Sequence, residues 1–181
     1  VINTTQYWCG NRFGKGLIRP GGSNFPMSAD IAGEVLKILK EVEKRYARVT
    51  DCIYSLPSVL GRFEDIGTVT RQQALDVGAV GMAARSCGLL RDTRMTHPFQ
   101  YYRKLKITPV LLESGDVHAR SMLRAIEVRE SVKLIRSLIE TWRSLDRSVG
   151  RPDYNYRLKP DSFALSAVSY THLRAHETKA N

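Results

Sequence analysis

Between residues 85 and 97 the chain gathers Arg85, Arg91, Asp92, Arg94 and His97, five ionisable side chains within 13 residues, in a stretch punctuated by Gly81 and Gly88. Loops that display charge on a rigid frame are common places for function. Arginine beside aspartate makes charge-assisted hydrogen bonds, which serve to anchor a loop, orient a partner or bind an anion. His97, next to Pro98 and close to Tyr101 and Tyr102, has the chemistry of a proton shuttle near neutral pH, or of a capping or packing side chain. No Ser/His/Asp or Cys/His arrangement for nucleophilic catalysis stands out. Gly14-x-Gly16 and Gly21-Gly22 lack the strand–loop–helix setting of a dinucleotide site.

The elements that must hold these residues are two long helices. Ser28 is placed to cap the first, with Asp30 in its first turn. Ile31, Val35, Ile38, Leu39, Val42, Tyr46 and Val49 then recur at helical spacing, predicting a helix over residues 28–50. The second starts at Asp116, with the stripe Leu123, Ile126, Val132, Ile135, Ile139, Trp142 and Leu145. The spacing offers it Arg124/Glu127, Glu130/Lys133 and Arg136/Glu140 as pairs one turn apart. Between the helices, Thr70-x-x-Gln73 is a capping box for a short helix ended by Gly78. Residues 66–69 and Ile107–Leu112 read as short strands in otherwise looped chain, and residues 1–26 as irregular. The expected class is α+β, mainly α, without an internal repeat.

Length and composition set the outer bounds. The 181 residues suffice for about one domain with a real core. The chain opens at Val1 without an initiator Met, which predicts an N-terminus upstream. No segment has the apolar length of a membrane span, and no signal-peptide pattern appears. Cys9, Cys52 and Cys87 are odd in number and far apart, against a disulfide framework. No Cys-x-x-Cys occurs, so no metal or iron–sulfur site follows from these residues. The net charge of +10 is distributed along amphipathic helices among acids. That pattern is a solvated or subunit-facing surface and not a nucleic-acid ribbon. Residues 1–148 carry these patterns. Residues 149–181 depart from them, and Val168–Thr178 resembles an adaptor-derived tail. The His172/His176 pair there lacks the third ligand and enclosing shell a zinc site needs.

Several motifs fall in an order that resembles the D subunit of respiratory NADH:quinone oxidoreductase (complex I) and its relatives, the large subunits of membrane-bound nickel–iron hydrogenases. Arg19-Pro-Gly-Gly22 precedes the first long helix. Ile66, Gly67 and Thr70 lead to Gly78, Gly81, Arg85 and Gly88. Then come Asp92, Arg94, Pro98, Phe99 and Tyr102, and last Gly115, Asp116 and Arg120. Met82 stands where the family often has Pro, Cys87 where it often has Ser, and Ala119 where complex I often has Asp. The likeness covers residues 10–145 and implies an internal fragment with a nickel–iron-hydrogenase-large-subunit-like fold. His97-Pro98 and Val117-x-Ala119-Arg120 look closer to the hydrogenase-like branch.

The resemblance implies an electron-transfer subunit of a membrane complex that frames a quinone or nickel–iron cavity, or else a redox-silent scaffold of such a complex. Candidate cavity- or partner-facing residues are Arg19, Arg85, Asp92, Arg94, His97, Asp116 and Arg120. The family's cysteine pairs and its quinone-facing His and Tyr lie outside the matching span, so the fragment by itself is expected to be inactive. No cofactor is then expected on these residues. Quinone or a nickel–iron centre would belong to the full subunit, an iron–sulfur cluster to a partner subunit, and NAD only to the complex. The implied partners are that iron–sulfur subunit and membrane subunits, with no nucleic acid. The implied location is peripheral, on the cytoplasmic side of the cell membrane.

Overall fold

The computed structural model describes residues 2–19, 22–98 and 100–145. In chain order the elements are α1 (Ile2–Cys9), β1 (Ile18–Arg19), β2 (Gly22–Ser23), α2 (Ala29–Ser55), α3 (Pro57–Phe63), α4 (Arg71–Asp76), α5 (Gly81–Arg85), α6 (Thr93–Thr96), a 3₁₀ turn (Gln100–Lys104) and α7 (Val117–Ser144). The mainly helical class is as the sequence predicts, but the one small sheet among the described residues, Ile18–Arg19 with Gly22–Ser23, falls where irregular chain was expected. Pro20, Gly21, Phe99, the end of residues 1–148 and the whole of 149–181, with His172 and His176, lie outside the described residues.

The chain forms two compact units. Unit 1 holds α1, the β pair, α2 as far as Val49 and α7 from Ser131 onward. Ser28 caps α2 as expected: its Oγ accepts the Ile31 N–H at 3.1 Å, satisfying a donor that has no partner inside the helix. Ala32, Val35 and Ile139 are buried, with Met27, Ile31 and Trp142 packed around them. An apolar cavity of about 580 Å³ opens in this unit, lined by Trp8, Met27, Leu39, Leu138 and Trp142 among others. β1 and β2 pair antiparallel, Ile18 opposite Ser23 and Arg19 opposite Gly22. Residues 1–26 are less irregular than expected, because α1 occupies Ile2–Cys9. Gly10 closes it, donating its N–H to the Gln6 carbonyl at 2.9 Å with φ +71°.

Unit 2 runs from Thr50 to Glu130. Helix α2 continues into it and stops at Ser55 because Pro57 follows: the residue before proline is driven out of the helical region, and Leu56 is extended at φ −90°, ψ 112°. Pro57 then opens α3, where its missing N–H costs nothing. The capping box forms as predicted, Thr70 Oγ1 accepting from Gln73 N at 3.2 Å and Gln73 Oε1 from Thr70 N at 2.9 Å. The core of this unit is Ala74, Ala84, Cys87 and Leu89, flanked by Val69, Leu75 and Ala79. On α7, Ala119 and Leu123 are buried.

Neither expected strand in this unit forms. In residues 66–69, Gly67 turns at φ +58°, and the flanking backbone bonds instead to the start of α7. Val69 N donates to Gly115 O and Val117 N to Ile66 O, both at 3.0 Å. In Ile107–Leu112, Pro109 removes a ladder donor. Only Leu112 is paired there, accepting from Gly88 N at 2.8 Å and donating to Arg85 O at 2.9 Å. The charge pairs differ too. Arg136 Nη2 reaches Glu43 of α2 at 2.6 Å where the spacing pointed to Glu140, and Arg124 donates to the Arg120 carbonyl at 3.0 Å.

Gly115 is the tightest point of unit 2. Its φ is +65°, and a Cβ there would lie 2.1 Å from the Val69 carbonyl oxygen. Gly78 has a similar φ of +64° with open space around it. Gly78→Ala should therefore cost about 1 kcal/mol from backbone conformation alone. Gly115→Ala should cost about 3 kcal/mol or more, because the clash adds to the same term. Urea denaturation of the two variants side by side measures the difference.

Candidate functional site

Helix α5 ends at Arg85, and the chain returns through Leu89 to place Asp92 at the start of α6. Asp92 Oδ1 accepts the Arg94 N–H at 3.0 Å, as an N-cap does. This turn also folds the Arg94 guanidinium back onto the same carboxylate, with Nε 2.9 Å from Oδ1 and Nη2 2.6 Å from Oδ2. The pair is bidentate, the strong form of an arginine–carboxylate contact. Arg85 completes the group from the other side, its Nη1 lying 3.8 Å from Asp92 Oδ2 and 3.4 Å from the Arg91 carbonyl. Arg85 Nη2 donates to Glu127 Oε1 on α7, and Arg94 Nη2 lies 4.0 Å from the same oxygen.

Two cations and two anions thus meet in one cluster, but are unequally exposed. The side chains of Arg85 and Asp92 are 6% and 1% exposed, those of Arg94 and Glu127 26% and 25%. Arg85 Nε is buried without a hydrogen-bond partner. Burial raises the Asp92 pKa, but hydrogen bonds from Arg94 and the charges of Arg94 and Arg85 outweigh it and leave the carboxyl below its usual range. The Asp92 hydrogen bond raises the Arg94 pKa against an opposing effect of burial, helped by the charges of Asp92, Glu127 and Tyr102. Arg91 stands aside, its Nη1 donating to the Ala79 carbonyl at 2.8 Å.

A second polar group surrounds the start of α7. Asp116 Oδ1 accepts from Ala119 N at 2.7 Å and Ser114 Oγ at 2.9 Å, while Oδ2 accepts from Asp65 N at 3.0 Å. Burial pushes the Asp116 pKa up, and these bonds together with His118 pull it further down, to a net value below the ordinary carboxylate. Arg120 donates through Nη1 to Gly115 O at 2.7 Å and through Nη2 to Gly67 O at 3.2 Å. Nearby, the Tyr54 hydroxyl lies 2.8 Å from Ser121 Oγ, and its ring meets His118 edge-on at 5.7 Å.

Of the seven residues singled out from sequence, the structure brings together Arg85, Asp92 and Arg94. Asp116 and Arg120 form the helix-start group. His97 is exposed and ends α6, its Nδ1 lying 3.0 Å from Thr96 Oγ1. Arg19 lies in β1, exposed, in unit 1. Sequence reasoning missed Glu127 as a member of the site. The available signal was its place one turn after Leu123, on the face that packs inward, where an acid needs a partner. Among the described residues, no three His, Cys, Asp or Glu converge as metal ligands would.

The motif order and this geometry can be set beside known proteins. A sequence profile described as "Respiratory-chain NADH dehydrogenase, 49 Kd subunit" matches residues 1–175. The chain belongs to this family. Its relatives in the 49 kDa family include the D subunit of the NADH-quinone oxidoreductase of Ehrlichia canis (strain Jake), 31% identical over 131 residues, or 72% of this chain and 33% of that protein. The NADH-ubiquinone oxidoreductase 49 kDa subunit of Reclinomonas americana is 33% identical over 126 residues, 70% of this chain and 32% of that protein. The chain therefore spans about a third of the length of the curated 49 kDa relatives it matches. The fold matches a chain of the membrane-bound sulfane sulfur reductase, an archaeal respiratory membrane complex, with a TM-score of 0.71 at 22% identity, covering 88% of this chain and 41% of that one. No helix among the described residues is long and apolar enough to cross a membrane.

The depressed carboxyls of this 49 kDa-family chain carry a pH consequence. A carboxyl whose folded pKa lies below its unfolded value stabilises the fold above the ordinary carboxylate range of about 4 and loses that contribution as pH falls through the folded value. Asp92 and Asp116 both act in this direction. Asp116→Asn should lower stability at pH 7 by about 1 kcal/mol and flatten its fall between about pH 5 and 3. Denaturant midpoints measured across that range test both effects.

Proposed function

We propose that the chain is part of the electron-transfer subunit of a membrane respiratory complex of the NADH:quinone oxidoreductase type, and that its share is to frame the cavity in which the electron acceptor is reduced. The single observation behind the reading is the cluster that the buried Arg85 and Asp92 form with the partly exposed Arg94 and Glu127. A buried ionic group is weak evidence for stability, since apolar packing of equal volume serves as well or better. Preorganised cations in a site of low polarity do stabilise negative charge that develops on an acceptor such as quinone. The family supports a quinone-linked complex, and the mostly internal bonds fit a subunit that presents a rigid wall to a partner. Membrane subunits and an iron–sulfur subunit are the partners this reading implies, with the chain peripheral to the membrane on its cytoplasmic side. Quinone and the iron–sulfur cluster of the partner subunit belong to the assembled complex, and NAD chemistry lies elsewhere in it. The hydrogenase-like branch, toward which His97-Pro98 leans, would require ligating cysteine pairs outside the matched span.

A second reading is favoured by the same contacts. Asp116 and Arg120 bond inward to Ala119, Asp65, Gly115 and Gly67, as a scaffold without redox work would require. Arg85→Lys in the complete subunit, within its assembled complex, separates the two. Lysine keeps the charge and loses the planar fork. Quinone reduction per assembled complex should fall on the order of tenfold, with the amount of complex on native gels largely kept. Unchanged turnover, or disappearance of the whole complex, supports the scaffold reading instead.

A further inference from the structure

Glu127 occupies an unusual place. It lies one turn after Leu123 and two turns after Ala119, which are 0% and 1% exposed, on the helix face that these two residues bury. A carboxylate there is expensive to desolvate unless cations meet it. Two do, and they meet the same atom. Arg85 Nη2 donates to Oε1, and Arg94 Nη2 stands 4.0 Å from it.

The other acid cannot replace it. Asp92 receives the Arg94 N–H, Nε and Nη2, while Arg85 comes no closer to it than 3.8 Å. The guanidinium of Arg85 is buried and rotates freely about its stem unless something fixes it. Its Nε finds no partner, and its contact with the Arg91 carbonyl is long at 3.4 Å. The hydrogen bond to Glu127 is what sets its plane. Glu127 also approaches Arg94, whose position Asp92 already fixes, so one oxygen, 42 residues on from Arg85, registers the two guanidinium groups against each other.

We infer that Glu127 is a positioning residue of the candidate site, aligning Arg85 with Arg94 so that both cations face the acceptor in a fixed geometry. The inference rests on the reading that this cluster serves electron transfer to quinone. Glu127 touches no acceptor in this scheme and acts through the two arginines. Its loss should therefore lower the rate of the step in which charge develops more than it weakens binding of the neutral acceptor.

The test uses the complete subunit in its assembled complex, with a short-chain quinone as acceptor. Glu127→Ala should lower kcat per assembled complex on the order of tenfold while KM changes little. Added formate, a carboxylate small enough to enter the vacated space, should restore part of kcat, and chloride at equal ionic strength should not. Unchanged kcat in Glu127→Ala overturns the inference, and so does a loss that formate leaves untouched. Should Glu127→Ala fail to assemble, Glu127→Asp keeps the charge at shorter reach. A lowered kcat with ordinary KM in that variant supports the inference, and wild-type kcat overturns it. Arg85→Lys measured alongside separates the two levels. If Arg85→Lys is slow and the Glu127 variants are normal, only the positioning role falls. If Arg85→Lys is also normal, the quinone reading of the cluster falls with it.

Discussion

A buried guanidinium is the constraint around which unit 2 is built. Arg85 sits at the end of a five-residue helix with its side chain 6% exposed, and a charge in that position must be matched by counter-charges at close range. Meeting that demand fixes three stretches of chain. The α5–α6 segment must turn so that Asp92 faces Arg85. Helix α6 must begin at Asp92 so that Arg94 folds back upon it. Helix α7 must be rotated so that Glu127, and not a neighbour, faces inward. Removing one partner of such a group commonly costs about 3–5 kcal/mol, because the remaining charge stays buried. The cluster is thus less a source of stability than a set of conditions that exclude other arrangements of these three elements.

Glycines make the close approach possible. Gly115, at φ +65°, donates its N–H to the Ser86 carbonyl at 2.8 Å and accepts from Val69, so the turn before α7 is tied to both the α5 end and the α4 start. Arg120 closes the same region by bonding to the Gly115 and Gly67 carbonyls. Asp116 fixes where α7 begins, and the position of Glu127 three turns later follows from helical geometry. Cap and cluster are therefore linked through a rigid helix, although they lie at different places along it.

The sequence showed clearly what depends on near neighbours. Ser28, the Thr70/Gln73 box and Asp116 announced helix starts because a cap is a local hydrogen bond. The two long stripes announced helices because burial imposes a 3.6-residue period. Helix α1 escaped notice because Ile2–Cys9 has little apolar periodicity and carries four consecutive polar residues, Asn3, Thr4, Thr5 and Gln6. The strands expected at 66–69 and Ile107–Leu112 failed because a strand needs a partner, and the partners here are a helix start and a turn. Arg136 chose Glu43, 93 residues away, and Glu127 is met by Arg85, 42 residues away. Local spacing names the eligible charges but not which of them meet. Within the site, the Asp92–Arg94 pair was therefore legible and the Glu127 contact was not.

The cluster's sum of charge has a consequence for how far it is felt. Two positive and two negative groups held within a few ångströms of one another leave no net monopole, and their combined potential dies away much faster than that of a single ion. The chain's overall charge of +10 works the other way, drawing acidic surfaces from a distance until salt screens it over about 10 Å. The molecule thus carries two fields of different reach: a diffuse one that any anion senses, and a short-ranged one confined to the immediate surroundings of the four side chains.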